Sequence, residues 1–138
     1  MTALCLLPPA ACGARSEPPP TVSQFAISYE RSGGLKADPR SLQIAPRRGA
    51  TARGSGNTVR FRVGVRKIKR LRRALESANF ESVPVPVPHS LGTCADCFYY
   101  DIAYRGHEVE FSQVDQPRRL DPVVNQLEAL IEAHLPFH

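Results

Sequence analysis

The apolar residues of this chain change their period near residue 66, and that change limits the folds open to it. Val59, Phe61, Val63 and Val65 alternate strictly with Arg60, Arg62, Gly64 and Arg66. A period of two is the mark of a strand with one buried face. Ile68, Leu71, Leu75 and Ala78 then recur at helical spacing, with Lys67, Lys69, Arg70, Arg72 and Arg73 between them. This predicts an amphipathic helix with a basic outer face, ending near Asn79. Neither an all-helical nor an all-β class accommodates both segments.

Other segments extend the pattern. Phe25, Ile27 and Tyr29 alternate with Ala26, Ser28 and Glu30, and the run ends at Arg31-Ser32-Gly33-Gly34, a loop signal. Leu42 and Ile44 suggest a short second strand, and Ala50 to Arg53 a weak third. Val83 to Pro88 reads V-P-V-P-V-P, a stiff extended connector, because each proline lacks a backbone donor and disfavours helix in its predecessor. Phe98, Tyr100, Ile102 and Tyr104 form one face of a strand, Arg105-Gly106 its turn, and Val109 and Phe111 the return. A last helix starts at Asp121-Pro122, with Asp121 as cap and Pro122 in the first position. Its buried stripe is Val123, Val124, Leu127, Leu130 and Ile131. The expected fold is α+β, an antiparallel sheet of four to five strands covered by two helices. With 138 residues, one domain is expected, spanning 23–138 after a disordered tether over 1–22.

Within 1–22, Leu4 to Cys12 reads L-C-L-L-P-P-A-A-C and precedes Gly13. This resembles a bacterial lipoprotein signal, clipped at its start, with Cys12 as the lipidated residue. Pro9 stands where that pattern has Leu, no basic region precedes it, and the apolar stretch is short. The alternative is an ordinary disordered N-terminus. Three consecutive prolines, Pro18 to Pro20, then keep the tether extended. No run of about 18 apolar residues occurs, so no transmembrane helix is encoded here. The expected location is the cell envelope, lipid-anchored through Cys12, or the medium.

Charge is segregated. Pro39 to Leu75 holds 12 basic residues and no acid, whereas Glu76 to His138 holds ten acids and three arginines. A basic half invites a nucleic-acid reading. Against it, the chain has no tryptophan and 7% aromatics, so no stacking platform is evident. The simpler expectation is mutual neutralisation. If the Val59–Val65 strand neighbours the later hairpin, Arg60 and Arg62 pair with Asp101, Glu108 and Glu110. Arg47, Arg48, Arg53, Lys67, Arg70 and Arg73 would remain as a basic surface able to bind anionic polymer or lipid headgroups.

Candidate chemistry is sparse. Cys94-Ala95-Asp96-Cys97 is a CxxC that opens into a strand rather than a helix N-terminus, which weakens a redox reading. As a zinc site it offers two sulfurs, with His89 and His107 the nearby nitrogens, and no finger spacing. In an exported chain a local disulfide is the simplest state, and a reduced inert pair is the alternative. His89-Ser90 lacks an accompanying oxyanion motif, and no phosphate loop is present. No catalytic set, metal or cofactor is expected. Ser32-Gly33-Gly34-Leu35 reads either as a strand-ending turn or as an exposed loop displaying Leu35 to a partner.

The segments Tyr29-Glu30-Arg31-Ser32-Gly33-Gly34, Leu71 to Leu75 running into Ala78-Asn79-Phe80, Phe98-x-Tyr100-x-Ile102 with Gly106 and Val109, and Leu120-Asp121-Pro122 together resemble the emfourin family. Emfourins are small bacterial inhibitors of thermolysin-like zinc metalloproteases. The resemblance spans roughly Phe25 to Leu135, and Ser-Gly-Gly is its distinctive motif. Lys36 to Asn57 is longer and more basic than a minimal member, and the CxxC is an addition. The resemblance implies a non-enzymatic protein-binding module, and the chain is expected to be monomeric. Its Arg31, Ser32, Gly33, Gly34 and Leu35 would enter a protease cleft, with Leu35 filling the apolar pocket.

Overall fold

The structure, a computed structural model, describes residues 25–36, 38–85 and 94–135. Cys12, the tether, His89-Ser90 and the last part of the proline connector lie outside the described residues. Six strands form one sheet: β1 (Ile27–Gly33), β2 (Arg40–Ile44), β3 (Gly49–Gly54), β4 (Asn57–Arg62), β5 (Phe98–Tyr104) and β6 (His107–Ser112). Helix α1 (Val65–Ser77) follows β4, and α2 (Asp121–Glu132) follows β6. The spatial order is β4-β3-β2-β1-β5-β6, and every neighbouring pair is antiparallel. The fold is thus α+β as expected, but with six strands rather than four to five. The short Leu42–Ile44 and Ala50–Arg53 segments are full members. Their side chains are modest, yet each lies between two strands and satisfies its backbone on both edges.

Strand alternation fills the core. Ile27 and Tyr29, Leu42 and Ile44, Ala50 and Ala52, Ile102 and Tyr104, and Val109 and Phe111 are buried on one face. Ile68, Leu71 and Leu75 of α1 and Val123, Leu127 and Ile131 of α2 close over them. The opposite face of the sheet carries no layer among the described residues. Its side chains are Ser28, Gln43, Thr51 and their polar neighbours. No helix among the described residues is long and apolar enough to cross a membrane.

Three boundaries differ from the sequence reading. Residue 65 satisfies both periods, because it lies three before Ile68. The helix takes it, so β4 ends at Arg62, Gly64 is the extended N-cap, and Val65 is exposed. Val63 stays buried, and its N–H donates to the Arg48 carbonyl at 2.9 Å. Asp121 does not cap α2. It has helical φ and ψ behind a 3₁₀ turn at Arg118–Leu120, and its Oδ1 accepts from Gln116 Nε2 at 2.7 Å. A carboxylate in the first turn still suits the positive end of the helix dipole.

The expected neutralisation of the two charged halves also fails. β4 forms one edge of the sheet, while β5 and β6 form the other. Three strands separate Arg60 from Asp101, a distance of about 19 Å at the usual strand spacing. Connection order misleads here, because β1 inserts between the β2–β4 meander and the hairpin.

Candidate functional site

The Arg31–Leu35 segment leaves the sheet at the end where β2 and β5 begin and β3 and β6 end. Strand parity decides where each side chain goes. Tyr29 faces the helices, so Arg31 does too, and its side chain is only 13% exposed. Its guanidinium donates to Glu128 Oε2 on α2 at 3.0 Å and stacks 4.5 Å from the Phe98 ring centroid. The Tyr29 hydroxyl donates to the other oxygen of the same carboxylate. Burial, then that carboxylate, push the Tyr29 phenol far above its ordinary pKa. Arg31 therefore ties the base of the loop to α2 rather than facing a partner. The same alternation that assigns Phe25, Ile27 and Tyr29 to the core points to this placement.

Ser32 turns to the open face. Gly33 still pairs with Phe98 of β5, and Gly33 and Gly34 have φ of +82° and +78°. A Cβ on Gly33 would lie 2.5 Å from the Cys97 carbonyl oxygen, and one on Gly34 would overlap the Phe98 ring. The Gly34 N–H donates to that same Cys97 oxygen at 3.1 Å. Cys94 and Cys97 are disulfide-bonded, with Cα atoms 5.3 Å apart, and the Tyr99 hydroxyl donates to the Cys94 carbonyl at 3.3 Å. The glycine loop thus sits on a cross-linked turn.

A second tether holds the far side of the loop. Asp38 accepts from the Ser55 N–H and hydroxyl at 3.2 and 3.1 Å, and from Arg40 Nε at 3.1 Å. Desolvation pulls the Asp38 pKa upward, but the bonds from Arg40 and Ser55 outweigh it and hold the carboxyl below its usual range. Between the two tethers Leu35 stands 86% exposed. Tyr99 and Val114, two further exposed apolar side chains, lie at the same end of the sheet. Leu35 is visible in the sequence as a loop residue. The Asp38 tether is not, because Ser55, its long-range partner, is 17 residues away.

The basic residues do not form one surface. Arg47 and Arg48 lie in the β2–β3 turn, at the end of the sheet opposite Leu35. Arg48 also points a guanidinium nitrogen at the Val63 carbonyl, 3.4 Å away. Arg53 is on the open face of β3. Lys67, Arg70 and Arg73 are exposed on α1, which covers the other face.

An acidic group occupies the open face of the hairpin. One oxygen from each of Asp101, Glu108 and Glu110 lies within 4.8 Å of the others, the spacing of metal ligands. Partial burial first, then the hydrogen bond and charge of Glu108 and the charges of Glu110 and Glu30, push the Asp101 pKa to about 6. An acid whose pKa is raised on folding binds its proton more tightly in the native state. Stability therefore falls as pH rises from about 4 to about 6. We expect Asp101→Asn to stabilise the protein at neutral pH by about 1 kcal/mol after allowing for solvent screening. The gain should vanish near pH 4. Urea titrations at the two pH values check it, and an equal gain at both would rule out this cause.

Both described histidines engage backbone carbonyls: His107 Nε2 contacts Val83 O at 3.0 Å and His134 Nδ1 contacts Leu130 O at 2.8 Å. His134 also stacks on Phe61, with ring centroids 3.6 Å apart. A shallow hollow on the open face, of about 450 Å³, is lined mainly by small residues such as Ala26, Ser28, Gly49 and Ala103. No nucleophile faces a base there. In comparisons with known proteins, no family model matches the sequence, and no curated protein matches it either.

Proposed function

We propose that the chain is an exported, non-enzymatic protein-binding module that inhibits a thermolysin-like metalloprotease through the tip of the Arg31–Leu35 loop. The supporting observation is the double tether. Gly34, bonded to Cys97, and Asp38, bonded to Ser55, flank a leucine that is 86% exposed, so the segment is anchored on both sides of its exposed anchor residue. Preorganisation of this kind raises affinity, because binding no longer has to order the loop. The two glycines keep the backbone narrow, so it can approach a cleft closely. In this reading Leu35 is the anchor, Ser32 to Gly34 supply backbone contacts, and Arg31 positions the loop from behind.

The test is inhibition of a purified thermolysin-like protease by the chain at low and high salt. Stoichiometric, salt-tolerant inhibition is expected. Leu35→Ala should weaken it by more than about tenfold and leave thermal unfolding unchanged. Unchanged affinity would remove the loop from the interaction, and absence of inhibition by the unaltered chain would overturn the reading.

One observation favours a second reading, an envelope lipoprotein that binds anionic polymer or lipid headgroups. Among the described residues Arg53, Arg60 and Arg62 carry no ion pair, and α1 exposes Arg66, Lys67, Lys69, Arg70 and Arg73 against a single acid, Glu76. Binding of that type falls steeply with ionic strength. Vesicle binding that disappears at high salt, without protease inhibition, would favour it. Cys12 would then supply the anchor.

A further inference from the structure

The open face of the sheet has a charge pattern that is complementary to itself. The pairing registers place its side chains in rows that cross all six strands. One row runs Arg60, Thr51, Gln43, Ser28, Ala103, Glu108. In the next, Arg53 on β3 shares a level with Ser41, Glu30 and Asp101. Positive charge therefore lies on β3 and β4, negative charge on β1, β5 and β6, and the neutral Ser41 and Gln43 of β2 between.

We propose that this face is the contact surface between two copies of the chain, related by a twofold axis parallel to the strands and passing between β1 and β2. Six strands divide three and three about that line. The rotation brings β4 over the partner copy's β6 and β3 over its β5, and keeps each row at its own level. Arg60 then meets the partner's Glu108, Arg53 meets the partner's Asp101, and Gln43 meets the partner's Ser28. Within one copy, the charges that act most strongly on Asp101 are all acidic. The partner's Arg53 supplies the missing counter-ion. A twofold axis perpendicular to the strands would instead lay acid on acid and base on base, which like-charge repulsion forbids. Isologous contact requires a patch complementary to itself, and this face provides one.

Size and shape fit a dissociable dimer. Six strands at about 4.8 Å spacing and about six residues long project to roughly 500 Å² per copy. The total is near the low end of specific interfaces, which bury about 1,200 Å² or more. At the centre Ser28 and Ser41 are small, and Gln43 and Glu30 are placed opposite the partner's Ser28 and the partner's Ser41. Aligned sheets cross at about −30°, which long arginines at the periphery can span. An axis along the strands leaves both Leu35 loops projecting from the same end, outside the contact.

Sedimentation equilibrium of the whole chain tests this. The expected result is a monomer–dimer equilibrium with a Kd of roughly 10–100 µM that weakens with salt. Arg60→Glu and Glu108→Arg should each weaken self-association by at least about tenfold, because each places like charges opposite one another twice. An equimolar mixture of the two variants should recover the dimer, since both contacts then join opposite charges. Both side chains are exposed, so the circular dichroism spectra should not change. A wild-type chain that stays monomeric, variants that associate as well as wild type, or a mixture that stays monomeric would each overturn the proposal.

Discussion

Glu128→Ala should lower the stability of the protein by about 3 kcal/mol, one of the two largest effects we expect from a single substitution. The carboxylate accepts from two residues of one strand, the Tyr29 hydroxyl and the Arg31 guanidinium. Tyr29 is 1% exposed and the Arg31 side chain 13%, so neither donor can turn to water without disturbing the packing. Removing Glu128 leaves a mostly buried cation and a buried hydroxyl unpaired, and the desolvation of both is then uncompensated. The pair itself need not be worth as much. Replacing Arg31 and Glu128 by apolar residues, Arg31→Met with Glu128→Leu, should recover the part of the loss due to the unpaired cation, whereas the Tyr29 hydroxyl still lacks its acceptor. For a domain of this size about 3 kcal/mol corresponds to a fall in Tm of roughly 15 °C. Urea denaturation of both variants decides the matter. If Glu128→Ala proves neutral, the carboxylate is not what holds Arg31 against α2.

This carboxylate shows where sequence reading stops. Alternation from Phe25 to Tyr29 predicts β1 and, continued by two residues, turns Arg31 inward. Nothing local identifies its partner, which is 97 positions away on a helix whose own pattern assigns only the apolar stripe. The hairpin at Arg105-Gly106, the α1 stripe and the Cys94–Cys97 bond are all legible, because each depends on contacts within a few residues. Strand order is not. The Arg60 and Glu108 positions read as candidates for pairing until the sheet places them on opposite edges. Helix boundaries fail for a related reason. Val65 and Asp121 each satisfy two local rules, and in the fold both fall inside the helix that follows. At the candidate site the exposed Leu35 follows from its loop, whereas the anchoring of that loop depends on Cys97, in the turn before β5, and Ser55, in the β3–β4 turn.

The seating of that loop on the Cys94–Cys97 turn can be tested at Gly33. We expect Gly33→Ala to destabilise the protein by about 3 kcal/mol, from two additive causes. A φ of +82° is strained for any residue with a Cβ, a penalty of about 1–2 kcal/mol. The new methyl would also stand 2.5 Å from the Cys97 carbonyl oxygen. That atom belongs to backbone fixed by the disulfide and by the Gly34 N–H, so it cannot swing aside as a side chain would. Forced displacement of packed backbone adds about 1–3 kcal/mol. Gly49→Ala is the matched control. Gly49 lies in β3 without a positive φ, and a Cβ added there would have no atom beyond its chain neighbours within 4 Å. Alanine there should be neutral or slightly stabilising, since it loses less backbone entropy on folding. Reducing the disulfide should soften the Gly33→Ala effect by freeing the Cys97 carbonyl to move. Denaturant titrations of both variants, oxidised and reduced, separate the causes. A penalty that survives reduction undiminished would assign it to backbone strain alone, and equal penalties at Gly33 and Gly49 would show that the loop is not seated on the Cys94–Cys97 turn.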